Sequence, residues 1–223
     1  MIEKAWDWNK VQSTYWDVPS EELFYYLQIW KEQHKMNLLD LGSGKGRHSF
    51  LFAKNGFNVT AFDISESGLN LMKEKMNKMN LMISLVNGNM ISLPFQDATF
   101  DTIIAYNSIY HSDEDGFKTT VNEIKRILSN NGEAFITLLS KDDVSFNGNS
   151  ENKISNNTLM KKEEDGSILP HYYVDNNDIE THFNDFHINS LRKVVEFHND
   201  KSFSHYHLHL IKRGVKSGFS SLL

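Results

Sequence analysis

The chain contains no cysteine among its 223 residues. That excludes disulfides, a thiolate nucleophile and thiolate-held zinc, and it fits a reducing compartment such as the cytoplasm. No apolar run approaches the ~20 residues that a membrane helix needs. The opening MIEKAWDWNK is polar and aromatic where a secretory leader would carry an apolar core. Basic surplus is missing too: 23 Lys and Arg stand against 29 Asp and Glu, a net charge of −6. Phosphate neutralisation drives much of nucleic-acid affinity, so a broad nucleic-acid footprint is disfavoured. No internal repeat is visible. What is present is an ordinary globular composition, 39% hydrophobic and 23% charged, at a length that suits one domain with a buried core.

The order of elements follows from periodicity and end signals. SEELFYYLQIWKEQH (20–34) opens with serine and two acids and carries apolar residues at helical spacing. Strands are predicted at 36–41, 57–62, 82–87, 100–106 and 133–139, with helices at 45–55, 65–80 and 113–128 between them. Asn130, Asn131 and Gly132 read as the turn into the fifth strand. This alternation implies a parallel, doubly wound sheet with right-handed crossovers. Residues 141–169 are polar and weakly periodic, hence a loop or lid. A short helix at 175–183 and an antiparallel hairpin of strands 189–197 and 204–212 close the chain. The expected division of the single domain is a helical cap (1–35), a cofactor-binding core (36–140), a lid (141–170) and a helix plus hairpin (171–223).

NLLDLGSGKGRHSFLFAKNGFNVTAFDIS (37–65) carries the chemistry. Glycines directly after a strand let a ligand press against bare backbone at the carboxyl edge of the sheet. An acid ending the next strand, Asp63, can accept hydrogen bonds from both hydroxyls of a ribose. The stretch therefore predicts a nucleoside-cofactor site. The dinucleotide fingerprint needs G-x-G-x-x-G, whereas here the third glycine comes one residue early, which disfavours a nicotinamide-dependent oxidoreductase.

With those residues in view, the sequence resembles the class I S-adenosylmethionine-dependent methyltransferases. LDLGSGKG is similar to their first motif, with Ser43 where a small residue or cysteine usually sits, and VTAFDIS to their second. VNGNMISLPFQDATFDTIIAYNSIYH resembles the third and fourth, and EIKRILSNNGEAFITLL the helix, turn and fifth strand. Within the family the pattern most resembles small enzymes of the type 11 and tellurite-resistance-like kinds. The resemblance implies a Rossmann-like, doubly wound, seven-stranded sheet, mostly parallel with an antiparallel last strand. It also implies S-adenosylmethionine as cofactor and S-adenosylhomocysteine as product. Gly42, Ser43, Gly44 and Gly46 are then expected to line the methionine moiety, with Asp40 on its amino group and Asp63 on the ribose. Ile64 would cover the adenine face, Asn89 and Met90 its edge, and Tyr106 and Asn107 would stand beside the sulfonium. Many relatives carry an acid where this chain has Asn89, whose amide oxygen can still accept from the adenine amine.

The acceptor side is read from element ends. His111, just after the fourth strand, is the candidate base, and a capping or surface histidine is the competing reading. Tyr15, Trp16, Tyr110, His171, Tyr172, His198 and His205 are the candidate acceptor-facing residues. Trp6 and Trp8 are taken as core clamps. HYHLH places His205, His207 and His209 on one strand face, but residues two apart lie ~6.5 Å from each other, too far for one ion; no metal is expected there. The reading is a methyltransferase acting on a small molecule, without nucleic acid or membrane. A tRNA or protein acceptor, and a non-catalytic cofactor-binding module, stay open.

Overall fold

The computed structural model describes residues 5–148, 150–198 and 201–214. Two single 3-10 turns, Trp8–Lys10 and Thr14–Asp17, are started by the side chains of Asp7 and Ser13, which accept from Asn9 and Tyr15 N–H. They lead into α1 (Glu22–Glu32), whose Leu23, Tyr26, Leu27 and Trp30 form one buried stripe at helical spacing. Then come β1 (Asn37–Leu41), α2 (Arg47–Lys54), β2 (Asn58–Asp63), α3 (Glu66–Met79), β3 (Ser84–Asn87), β4 (Phe100–Ala105), α4 (Glu114–Ile127) and β5 (Leu128–Ser140). Asp113 caps α4 by accepting from Gly116 N–H at 2.8 Å, and two acids follow in the first turn, where the helix dipole favours them. The chain continues as α5 (Val144–Asn147), β6 (Thr158–Lys162), β7 (Ile168–Val174), α6 (Asn176–His182), β8 (Phe186–His198) and β9 (Lys201–Lys212).

β3, β2, β1, β4 and β5 lie side by side and parallel. β9 runs antiparallel between β5 and β8. These seven strands are the doubly wound sheet expected from the sequence. Alternation along β1 sends Leu38 and Asp40 toward α2 and sends Leu39 and Leu41 toward α4. One face packs under α1, α2 and α3, the other under α4 and α6. No helix among the described residues is long and apolar enough to cross a membrane.

The sheet has nine strands, not seven, because the predicted lid is not a loop. Residues 141–174 contain α5 and the antiparallel hairpin β6–β7. β5 gives one edge to β9 along Glu133–Leu139, so β7, paired at Leu139↔Tyr173 and Ser140↔Val174, takes the other. That edge belongs to β4 only as far as Ile136. β7 thus continues the sheet just beyond the end of β4, and Tyr172 N–H donates to the Tyr110 carbonyl at 2.8 Å to fix it there. A second correction concerns the expected turn at Asn130–Gly132, which lies inside β5. Asn131 takes a left-handed φ of +59° there, and the β4–β5 register shifts between Phe100 and Thr102. The turn between β8 and β9 includes residues 199 and 200, which lie outside the described residues.

Candidate cofactor and acceptor site

The loop leaving β1 is shaped by its glycines. Gly42 (φ +75°) and Gly44 (φ +55°) lie in the left-handed region, and a Cβ on them would come within 2.3 Å of Ser108 Cβ and 2.4 Å of Trp8 Cζ2. Gly42 and Ser43 N–H donate to the Phe62 carbonyl at 2.8 and 3.1 Å. Gly44 N–H donates to Asp63 Oδ2 at 2.7 Å, while Asp63 Oδ1 accepts Ser65 N–H at 2.7 Å. The acid at the end of β2 therefore holds the glycine loop and the start of α3 together. Burial raises its pKa, and the two backbone N–H groups oppose that.

A pocket opens at this carboxyl edge. Gly42, Ser43, Gly44, Asp63, Ile64, Asn89, Met90, Tyr106, Asn107 and His111 all line it. Asn89 Oδ1 also accepts Ile91 N–H at 3.2 Å, which shapes the turn after β3. Tyr106 is half-buried, and the loss of solvent around it pushes its hydroxyl up to about 12. Asn107 holds a left-handed φ of +51° that a non-glycine residue adopts only under constraint. The constraint is Thr137, whose Oγ1 accepts Asn107 N–H at 2.7 Å and donates to Asn107 Oδ1 at 2.9 Å. His111 donates Nδ1–H to the Ser108 carbonyl at 3.1 Å, leaving Nε2 with its lone pair. Burial, then the nearby His171 and Lys161, hold its pKa well below the usual value, so the ring is neutral.

Two expected cofactor residues build the site without lining it. Asp40 Oδ2 accepts Ser49 Oγ–H at 2.6 Å and Ser49 N–H at 3.0 Å, tying β1 to α2. Its burial pushes the carboxyl up to about 6, against the Ser49 bonds. Gly46 (φ +83°) starts α2 with its open side toward Met72, within 2.5 Å of a built Cβ, on the core side. The acceptor candidates divide as well. Trp16 lines the pocket; Tyr15, Tyr110, His171, Tyr172 and His205 do not. Tyr15 is 40% exposed and meets Trp16 edge-on. Tyr110 is buried, with its hydroxyl pKa well above the usual value chiefly through desolvation. His171 is buried behind His111, ring centroids 4.7 Å apart, and His205 lies 6.1 Å from Tyr110 with burial pushing it to about 4. Tyr172 stacks on Phe117 in the α4 layer and its hydroxyl meets His182 Nε2 at 2.9 Å, away from the pocket. His198 ends β8, and its side chain lies outside the described residues. The rest of the histidine ladder is engaged elsewhere, His207 with Glu22 and His209 with Glu133.

Five further side chains that line the pocket were placed elsewhere or passed over in the sequence. Trp6 and Trp8, taken as core clamps, form with Trp16 a cluster whose ring centroids are 5.2–5.8 Å apart. Leu169 and Pro170 reach the same space from the β6–β7 hairpin. Asp7 N–H donates to Asp165 Oδ2 at 2.7 Å and Trp16 Nε1–H to Glu164 Oε2 at 3.3 Å, so the two covering segments are joined. Arg47, at the start of α2, is 8% exposed and also lines the pocket. It donates to the Tyr15 and Val18 carbonyls at 3.2 Å and stands 5.0–5.1 Å from the rings of Tyr15, Trp16 and Tyr106. A signal for the two N-terminal tryptophans was present in the spacing W-x-W within a charged stretch; Arg47 had none beyond its place after the glycines.

Residues 38–132 match the family described as methyltransferase domain. Over 89% of this chain and all of the other, the fold superposes with TM-score 0.74, at 16% identity, on a Methanosarcina mazei protein solved as an S-adenosylmethionine-dependent methyltransferase. Residues 38–132 are thus similar to the methyltransferase domain family, and the fold is the one seen in solved class I methyltransferases. The chain is 32% identical over 124 residues to the uncharacterized protein MJ0638 of Methanocaldococcus jannaschii, covering 56% of this chain and 50% of that one. It is 31% identical over 116 residues to a Streptomyces cypemycin N-terminal methyltransferase, covering 49% and 46%. It thus spans about half the length of the curated relatives it matches. A Burkholderia thailandensis 1,6-didemethyltoxoflavin-N1-methyltransferase, solved with its acceptor and S-adenosylhomocysteine, superposes with TM-score 0.62 and 15% identity, covering 86% of this chain and 79% of that one.

Proposed function

We propose that this chain transfers the methyl group of S-adenosylmethionine to a small-molecule acceptor in the cytoplasm. The observation that carries the reading is the continuous pocket from the glycine loop and Asp63 to His111. In it, Asp63 keeps a lone pair on each oxygen for the ribose hydroxyls, and Ile64 packs on adenine with Asn89 and Met90 at its edge. Gly42, Ser43 and Gly44 offer bare backbone to the methionine portion. Arg47, a buried cation that among the described residues is held by carbonyls and rings, meets its carboxylate. Tyr106 and Asn107 flank the sulfonium.

Methyl transfer disperses the sulfonium charge as the new bond forms, so alignment and exclusion of water are the main contributions of the protein. The three tryptophans and the hairpin residues Leu169 and Pro170 provide the cover. His111 Nε2 is the group set to deal with the proton of a hydroxyl, thiol or amine acceptor. A pocket lined by three tryptophans, Phe62 and Tyr106 suits a small acceptor; the similarity to a cypemycin N-terminal methyltransferase makes a peptide amine the second reading. Calorimetry with S-adenosylhomocysteine, followed by a metabolite and peptide panel read as S-adenosylhomocysteine release, tests the proposal. His111→Asn is expected to lower turnover while keeping cofactor affinity; absence of S-adenosylhomocysteine binding to the unaltered chain refutes the whole reading.

A further inference from the structure

Among the described residues, one group of three histidine and acidic side chains brings a ligand atom from each within 4.8 Å of the others: His111, Glu163 and His171. They converge because β7 extends the sheet past the end of β4. His111 follows β4, His171 lies on β7, and Glu163 directly follows β6 at the tip of the same hairpin. Each histidine donates Nδ1–H to a backbone carbonyl at 3.1 Å, Ser108 for His111 and Leu169 for His171. A carbonyl on one ring nitrogen is the outer-shell arrangement that fixes the tautomer of metal-bound imidazoles and leaves Nε2 as the donor atom.

Glu163 supplies an independent sign. Its side chain is 9% exposed, and Oε1 lies 2.8 Å from His171 Nε2. Yet Oε1 accepts no hydrogen bond, since the ring does not aim an N–H at it. A carboxylate oxygen shut away from water with no partner, facing two imidazole lone pairs, is a costly arrangement. A cation among the three atoms removes the cost.

We propose that His111, Glu163 and His171 form a site for a divalent first-row transition ion, with zinc the ion that two imidazoles and one carboxylate suit best. Magnesium, which favours all-oxygen octahedra, does not fit this donor set. Donors ~2.1 Å from one ion lie ~3.4 Å apart, so closing the group needs side-chain shifts on the order of 1 Å. Three protein ligands leave a fourth position open. His111 lines the pocket while Glu163 and His171 stand behind it, so that position falls on the acceptor side. An oxygen, nitrogen or sulfur bound there gives up its proton more readily. With the ion in place, His111 acts on the acceptor's proton through the metal instead of taking it. The site stands on these three residues and does not depend on the methyl-transfer reading.

The test uses the full chain, stripped with a chelator and titrated with zinc chloride by calorimetry and with cobalt chloride by visible absorption. One equivalent of each is expected, with cobalt bands of four- or five-coordinate intensity. Glu163→Gln and His171→Gln are each expected to weaken binding at least about tenfold. S-adenosylhomocysteine affinity, read on the same samples, is expected to persist in both variants. Zinc uptake well below one equivalent, or affinity that survives both substitutions, overturns the site. Should a variant fail to fold, the cobalt spectrum of the unaltered chain decides, and absent bands at one equivalent overturn the proposal. S-adenosylhomocysteine binding without zinc uptake removes the metal site alone; zinc uptake without S-adenosylhomocysteine binding removes the methyl-transfer reading alone.

Discussion

Replacing Asp63 by asparagine keeps the volume of the side chain and removes its charge and one acceptor oxygen. Two backbone N–H groups, from Gly44 and Ser65, each donate to this carboxylate at 2.7 Å. The single amide oxygen can serve one of them, and the NH2 group then confronts the other. A buried N–H left without an acceptor costs ~1–3 kcal/mol, a sizeable part of the ~5–15 kcal/mol that holds a domain folded. The ribose loses a charge-assisted acceptor at the same time, worth ~1.5–3 kcal/mol. At ~1.4 kcal/mol per decade, affinity for S-adenosylhomocysteine falls roughly 10- to 150-fold. Calorimetry measures the affinity, and urea denaturation of the unliganded chain measures the stability separately. Wild-type affinity in a folded Asp63→Asn chain would remove Asp63 from the cofactor site. Unchanged stability would show that the glycine loop does not lean on this carboxylate.

Glu133 gives a pH dependence. Burial raises its pKa, but His209, Lys35 and Trp30 donate to it and carry it down to about 2, against 4.5 for the free side chain. A carboxylate depressed on folding stabilises above its unfolded pKa, so about 3 kcal/mol is lost as pH falls from 4.5 toward 2. Denaturation at pH 6 and pH 3 is expected to show about 2 kcal/mol of that loss in the wild type beyond any loss in Glu133→Gln; equal losses in both refute it. Gly44→Ala places a Cβ 2.4 Å from Trp8 Cζ2 at a φ of +55°. A stability loss of ~1–2 kcal/mol from the left-handed backbone and at least tenfold weaker cofactor binding are expected; wild-type binding by calorimetry would show that Trp8 does not pack there. Hydrogen exchange is expected to find the paired strands of the β6–β7 hairpin protected in the free chain, with slowing on cofactor binding confined to residues 163–167. Slowing across all of 141–170 would restore a lid that orders as a whole.

The alternation of strands and helices was legible because each element carries its own period, and the glycines and Asp63 were legible because few other residues can fill their roles. β6 and β7 were not. TLMKK has no clean period of two, and β7 contains Pro170, which lacks an N–H and argues against a strand unless it sits at a tolerant position. Pro170 is such a case, opposite Met160 on a hairpin that borrows only the last residues of the β5 edge. The bond between Asp40 and α2 was hidden for another reason. Period two puts it with Leu38 and against Leu39 and Leu41, but nothing in five residues says which face of the sheet lies under α2. Trp6 and Trp8 sit in and beside a three-residue 3-10 turn, too short for any periodicity to reveal what they cover. His171 was placed at the correct sheet edge, but its burial depends on Glu163 and Leu169, residues of a hairpin the sequence concealed.

The clasp between residues 7–16 and 164–165 joins two stretches separated by about two-thirds of the chain, and both fall outside the stretch matched to the family, 38–132. A fragment ending after β5 would therefore carry every glycine of the loop and Asp63, and would lack the Leu169 and Pro170 side of the pocket. On the proposed reading, the backbone that meets the nucleoside and most of the cover over it come from different parts of one polypeptide. On that reading, substitutions in the flanks can reshape the cover while the backbone that holds the nucleoside stays as it is.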